Sequence, residues 1–194
     1  MPSAGKRSAS RVANKVTPAI RRRAARIRVL LMDVDGTLTD GHVLLLSQPD
    51  GSALEIKSFG AQDGLGLTLA ATAGIRTGVI TGRESAAMRR RAKEARIEFV
   101  YEACPVKIPV YEEILKITGA SDDEVAYVGD DLPDLPVMRR VGLAVAVGNA
   151  VAEVKSAAHF VTSRNGGDGA VREVVELILK SQGKWESLIN KARA

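Results

Sequence analysis

Short apolar runs that alternate with helix-patterned stretches constrain this chain more than any other feature. "VLLM" at 29–32, "RTGVITG", "FVYEA", "EVAYVGDD", "LAVAVGNA" and "HFVTS" read as strands. Between them, "LGLTLAATAG", "ESAAMRRRAKEAR", "PVYEEILKITG", "LPVMRRVG" and "AVAEVKSAA" carry helical spacing. A strand that is apolar on both faces must be covered on both, so the alternation predicts an α/β fold with a parallel sheet between helical layers. One stretch departs from this rhythm. "GHVLLLSQPDGSALEIKSFGAQDG" has two β-rich runs around "PDG", which predicts a hairpin inserted after the first strand, at about 42–58.

In parallel sheets, ligands bind outside the carboxyl ends of the strands, and that rule gathers scattered residues into one place. Asp33, Asp35, Thr81, Asp130 and Asp131 all fall at predicted strand ends. Asp33 and Asp35 lie two apart, so an extended backbone points both to one face, where they repel unless a cation sits between them. Taken alone, "DVDGT" is also a turn or a calcium-type loop. The second acidic strand end, "YVGDDLPD" with Asp130, Asp131 and Asp134, favours a shared ion. No His or Cys pattern accompanies the acids, so the expected ion is hard and oxygen-ligated.

A metal beside carboxylates suits phosphoryl transfer through an aspartyl-phosphate, with a second acid to protonate the leaving oxygen and later activate water. Asp33 and Asp35 fit these roles by position. The charged equatorial oxygens of the transferred group need a hydroxyl, a backbone amide and a lysine, which Thr81, Gly82 and Lys107 supply. Each has a plainer reading by itself: Thr81 as a strand end, Lys107 in "CPVKIP" as a surface lysine, Arg83 as a helix cap. His42 and His159 read as structural, Cys104 as an inert buried thiol, and Val174, Leu177 and Ile178 as core.

At 194 residues the chain has room for one well-buried domain. One cysteine excludes a disulfide framework, 45% apolar content is ordinary, and no run reaches the length of a membrane span. These features point to a soluble protein of a reducing, cytoplasmic compartment. The net charge of +5 suggests a nucleic-acid partner until it is located. Nine Lys and Arg and no acid occupy the first 28 residues, which lack the apolar segment of a secretory signal. Beyond them, 19 basic residues face 23 acidic ones. Residues 1–26 are therefore expected to form a basic, flexible or weakly helical extension, and nucleic acid is not the expected partner.

Four motifs in order, "DVDGT", "ITGR", Lys107 and "GDDLPD", resemble those of the haloacid dehalogenase superfamily of phosphohydrolases. Within it, "DVDGTLTDG", "KSFGAQDGLG", "VITGR", "YVGDDLPDLPVM", "GLAVAVGNA" and "GGDGAVREVVELIL" resemble the 3-deoxy-D-manno-octulosonate 8-phosphate phosphatase family over roughly 27–185. The resemblance implies a Rossmann-like three-layer sandwich without a large cap, a phosphohydrolase domain at 27–185 and a C-terminal tail at 186–194. It also implies Mg2+ as cofactor, and a homotetramer whose neighbouring subunits close each site.

Carried over by position, Asp33 is the nucleophile and a metal ligand, Asp35 the acid/base with its carbonyl on the metal, and Asp130 the third protein ligand. Thr81 and Lys107 hold the phosphoryl group. Contacts to the sugar acid fall on Gly60, Ala61, Gln62, Asp63, Gly64, Arg83 and Arg91. The chain departs from the family pattern at Gln62, where a basic residue is common, at Asp168, where an arginine is common, and in "EACPV", where a loop with glycine is common. A related nonulosonate phosphate, another small phosphate ester, or a non-catalytic regulatory role are the alternatives.

Overall fold

The computed structural model describes residues 15–193. In chain order its elements are α1 (Pro18–Ala25), β1 (Val29–Met32), β2 (Leu44–Ser47), β3 (Ala53–Ile56), α2 (Ala61–Thr72), β4 (Arg76–Ile80), α3 (Ala86–Glu94) and β5 (Phe99–Tyr101). There follow α4 (Ile108–Thr118), β6 (Val125–Gly129), α5 (Leu135–Met138), β7 (Leu143–Ala146), α6 (Ala152–Ala157), β8 (Phe160–Val161), α7 (Ala170–Ser181) and α8 (Trp185–Arg193). Six strands form one parallel sheet in the order β5-β4-β1-β6-β7-β8, flanked by helices, and β2 with β3 forms the separate antiparallel hairpin. The expected α/β sandwich with a hairpin as insertion is what the chain adopts.

β1 is central because all four of its residues are buried, and it pairs with β4 on one side and β6 on the other. The chain winds outward from β1 through β4 to β5, then returns to β6 and winds the other way. Loops leaving β1, β4 and β6 thus diverge at one point of the sheet edge, the place where a crevice opens in such folds.

Two terminal segments differ from the expectation. Residues 18–25, expected in a flexible or weakly helical extension, form α1, and that helix docks on α7. Thr17 caps it, accepting from the backbone N–H of Ile20 at 3.3 Å, and Pro18 opens it. Ile20 and Ala24 are buried, and Arg23 donates to the carbonyl of Gly142 at 2.6 Å. The basic count hid this apolar pair. The rest of the predicted extension, residues 1–14, lies outside the described residues. At the other end α8 packs on α7 with Leu188 buried, so much of the expected tail is structured.

α2 starts four residues earlier than its apolar spacing suggests. Two glycines, Gly64 and Gly66, make its first turns look like loop, but they serve packing. A Cβ on Gly66 would come within 3.2 Å of the Arg172 backbone of α7, so the small residue lets the two helices approach.

Candidate active site

Each acid of the opening motif is delivered by β1. Asp33 follows the last residue of the strand, and its backbone N–H donates to the carbonyl of Val128 in β6 at 3.0 Å. Gly36 then turns the chain at φ +96°, a conformation that favours glycine; a Cβ there would lie 2.0 Å from Asp130 Oδ2. The "DG" pair is therefore fixed by two needs at once: the turn, and room for the acid at the end of β6.

Lys107 precedes α4, and its side chain is 3% exposed. Its Nζ donates to Asp33 Oδ1 at 2.5 Å, to Asp134 Oδ1 at 2.7 Å and to the hydroxyl of Tyr127 at 3.1 Å. Tyr127 in turn donates to Asp134 Oδ1 at 2.8 Å. Asp134 Oδ2 accepts the backbone N–H groups of Asp130 at 2.9 Å and Asp131 at 3.3 Å. Asp134 thus holds a lysine with one oxygen and the acidic loop with the other.

Oxygens of Asp33, Asp130 and Asp134 lie within 4.8 Å of one another. Hydrogen bonding divides their duties. Among the described residues, both oxygens of Asp134 accept side-chain or backbone hydrogen bonds, whereas Asp130 accepts at Oδ1 from Thr37 at 2.9 Å and Asp33 at Oδ1 from Lys107. Asp33 and Asp130 could therefore share a cation, while Asp134 braces the lysine and the acidic loop beside them. The set is all oxygen, partly dry and anionic, which suits a hard divalent ion.

Electrostatics agree. Burial pushes the Asp33 carboxyl up to about 6 even with Lys107 pulling it down, and burial together with Asp33 and Asp134 pushes Asp130 up to about 7. Burial works against the charge on Lys107, but its two acid partners outweigh this and hold the ammonium above its ordinary value. Carboxylates in this condition gain from a cation more than ordinary ones do.

The cleft above these groups has a volume of about 330 Å³ and is also lined by Asp35, Thr81, Gly82 and Arg83. Thr81 directly follows β4; its N–H donates to the carbonyl of Tyr101 at 2.9 Å, and its hydroxyl accepts from the N–H of Arg83 at 3.3 Å. Asp35 lies outside the group of three close carboxylates, and its own carboxylate meets cations. Lys57 bonds its Oδ1, and Arg83 Nε is 3.8 Å from its Oδ2.

This geometry has counterparts. A model of haloacid dehalogenase-like hydrolases matches residues 106–174. The 3-deoxy-D-manno-octulosonate 8-phosphate phosphatase KdsC of Yersinia pestis is 42% identical over 164 residues, covering 84% of this chain and 86% of the relative. The chain belongs to the 3-deoxy-D-manno-octulosonate 8-phosphate phosphatase family. Among solved members, the Moraxella catarrhalis phosphatase, in complex with magnesium ion, phosphate ion and a KDO molecule, is 38% identical with a TM-score of 0.83; 88% of this chain and 96% of that one are covered. The cobalt-bound Haemophilus influenzae deoxy-D-mannose-octulosonate 8-phosphate phosphatase is 38% identical with a TM-score of 0.77, over 84% of this chain and 92% of that one.

Against that family pattern, the expected sugar-acid contacts divide. Arg83 lines the cleft. Arg91 reaches the start of α2 instead, donating to the carbonyl of Gly60 at 3.0 Å, with its guanidinium where a Cβ on Gly64 would sit. Asp63 is 1% exposed and caps α7, accepting from the N–H groups of Gly169 at 3.0 Å and Arg172 at 2.8 Å. Ala61 opens α2 and is exposed. Gln62 accepts from Arg164 Nη1 at 2.6 Å, in a separate groove with Arg172 and Glu176. A cation therefore stands next to the position where the family commonly has a basic side chain.

Sequence reasoning missed Tyr127, Glu55 and Lys57, and counted Asp134 in the acidic cluster without foreseeing its contact with Lys107. Tyr127 was hidden as one more large residue of a buried strand. Glu55 and Lys57 sit two apart, so both can face the body while their neighbours face out. Cys104 is half-buried, and burial raises its thiol, in keeping with an inert residue. His159 accepts the N–H of Ala144 at 2.9 Å, a structural role.

Proposed function

We propose that the protein is a Mg2+-dependent phosphatase that hydrolyses 3-deoxy-D-manno-octulosonate 8-phosphate to the free sugar acid and phosphate, with Asp33 as nucleophile. The observation that carries this reading is the contact of Lys107 with Asp33 at 2.5 Å, beside an Asp130 carboxylate that could share a cation with Asp33. Family membership at about 40% identity to phosphatases of this ester supports it. The relative from Moraxella catarrhalis, with magnesium, phosphate and KDO bound, supports the cofactor and the substrate class.

In this reading an oxygen of Asp33 attacks phosphorus, the bond to the sugar oxygen breaks, and Asp35 gives that oxygen a proton. Asp35 then takes a proton from the water that splits the aspartyl-phosphate, releasing phosphate and restoring Asp33. Lys107, the Thr81 hydroxyl and the Gly82 amide hold the phosphoryl oxygens. Asp33 and Asp130, with the carbonyl of Asp35, would hold Mg2+, and when bound the ion would lower the repulsion between an anionic nucleophile and an anionic ester.

Arg83, on the cleft wall, meets the sugar carboxylate. The protein acts in the cytoplasm, a location supported by its single free cysteine, and works as a homotetramer. Support for assembly comes from the hairpin, where Leu44, Leu46, Leu54 and Ile56 are between 46% and 55% exposed.

Phosphate release from a panel of sugar phosphates and sugar-acid phosphates tests the substrate. The octulosonate ester is expected to be preferred by kcat/KM. Preference for a nonulosonate phosphate would move the assignment to that ester, and preference for neutral sugar phosphates would remove the role of Arg83.

A further inference from the structure

A lysine is rarely buried unless its charge is used. Lys57, just past the end of β3, has a side chain only 3% exposed. It reaches the body because the hairpin strand alternates: Leu54 and Ile56 face solvent, Glu55 and Lys57 face the cleft side. Lys57 Nζ bonds Asp35 Oδ1 and lies 3.6 Å from Glu55 Oε1. Glu55 Oε2 bonds Arg83 Nη2, and Arg83 Nε lies 3.8 Å from Asp35 Oδ2. The four side chains close a ring with two acids and two bases. Glu55 Oε1 is buried and has no hydrogen-bond partner among the described residues, and the Lys57 ammonium is a charge that stands close to it there.

A lone ion pair from the hairpin would be an ordinary anchor. Here the anchored group is Asp35, and its two oxygens are treated differently. Oδ1 is in contact with Lys57, while Oδ2 stands at longer range on the side of Arg83, a cleft residue.

We infer that Lys57 is a positioning residue for Asp35: by occupying Oδ1 it leaves Oδ2 as the oxygen that exchanges the proton, and so ties the hairpin to catalysis. The inference rests on the acid/base role given to Asp35 above. In the first half-reaction the Asp33–phosphorus bond forms, the phosphorus–ester oxygen bond breaks, its electron pair stays on the leaving oxygen, and Oδ2–H supplies the proton. In the second, water attacks phosphorus, the Asp33–phosphorus bond breaks, and Oδ2 takes the proton back. Lys57 neither gains nor loses a proton in either half.

The test compares two esters whose leaving groups differ in their need for a proton. 3-deoxy-D-manno-octulosonate 8-phosphate expels an alkoxide that requires one; 4-nitrophenyl phosphate expels a weakly basic phenolate that does not. Lys57→Met is expected to lower kcat/KM on the sugar ester by about 10- to 100-fold and on the nitrophenyl ester by no more than about threefold, below the full contribution of a general acid. Lys57→Arg, which keeps a cationic donor at Oδ1, restores most of the loss. Equal losses on both esters, or no loss on the sugar ester, would overturn the inference.

Asp35→Asn is run beside it. If that variant shows no preference for the activated ester, or the parent releases no phosphate from either ester, the function reading itself has failed and takes this inference with it. Melting and light scattering check folding and assembly. Should Lys57→Met fail them, Lys57→Arg and Glu55→Gln decide: Glu55→Gln breaks the ring one step from Asp35 and is expected to show the same selectivity in weaker form, whereas a uniform or absent effect overturns the inference.

Discussion

Lys107 Nζ lies 2.7 Å from Asp134 Oδ1, with both side chains nearly inaccessible to solvent. Asp134 also holds the N–H groups of Asp130 and Asp131, and a Cβ on Gly129 would lie 2.4 Å from its Oδ2, so one carboxylate sets the lysine and the acidic loop together. Removing Asp134 takes away one of the two carboxylates that compensate the buried Lys107 and leaves the acidic loop without its acceptor. Asp134→Ala is therefore expected to cost about 3–5 kcal/mol in chemical denaturation, with activity lost as well. Asp134→Asn, which keeps the size and an acceptor, loses less stability. Unchanged stability in the alanine variant would show that Asp33 alone compensates the buried ammonium of Lys107.

Asp33→Asn keeps the shape of the site and leaves Lys107 paired with Asp134. Phosphate release is expected to vanish while the circular dichroism spectrum and cooperative unfolding persist. Near-normal turnover by this variant would end the covalent scheme.

The raised carboxyls of Asp33, at about 6, and Asp130, at about 7, set a pH dependence in the metal-free protein. A group raised above its ordinary 3.8 keeps its proton in the folded state after the unfolded chain has released it. These two acids therefore contribute stability at low pH that is lost as pH rises from about 4 to about 7. A cation must displace the same protons, so Mg2+ affinity is expected to rise with pH until Asp130 is ionised. Titration calorimetry at pH 6.5 in buffers of different ionisation enthalpy should show proton release, which disappears by about pH 8.5. Chelation abolishes activity and Mg2+ restores it. Affinity independent of pH between 5 and 8 would place the ion elsewhere.

Much of this centre was legible because period-two and strand-end rules need no long-range information: Asp33, Thr81 and Asp130 each close an apolar run. Lys107 was named for the charge a phosphoryl group needs and for its place in the motif order, since nothing near it in sequence says that its ammonium is buried. The roles of Asp134 and Lys57 depend on contacts 27 and 22 residues away, which no local pattern encodes. The same holds for Asp63. Its place in "AQDG" suggested a ligand contact, yet its carboxylate caps a helix more than a hundred residues further on. Charge misled at the N-terminus, where two buried residues outweigh a basic surface in deciding that α1 docks.

Ala103, in the loop that precedes Lys107, has φ +54°. A left-handed alanine costs roughly 1 kcal/mol, and glycine removes that strain while giving part of it back as chain entropy. Ala103→Gly is expected to stabilise the protein by about 0.5 kcal/mol, seen as a melting point higher by about 1–2 °C. A lower melting point would mean that the alanine methyl packs usefully against its surroundings.

The hairpin has two faces, and they serve different ends. Glu55 and Lys57 are committed to Asp35 and Arg83, while Leu44 faces Ile56 and Leu46 faces Leu54 across the strands on the exposed side. Four such residues in one patch are costly to leave in water, and pairing with hairpins of other copies would bury them. Such an assembly would also press Lys57 onto Asp35. Replacing Leu46 with Glu and Leu54 with Lys halves the apolar patch while offering a cross-strand ion pair that keeps the hairpin closed. Sedimentation is expected to show the parent as a tetramer and the double variant as smaller species. Turnover of the sugar ester should fall with the loss of assembly, by an amount that grows as the protein is diluted. A double variant that is monomeric and fully active would separate assembly from catalysis and leave the hairpin to act through Lys57 alone.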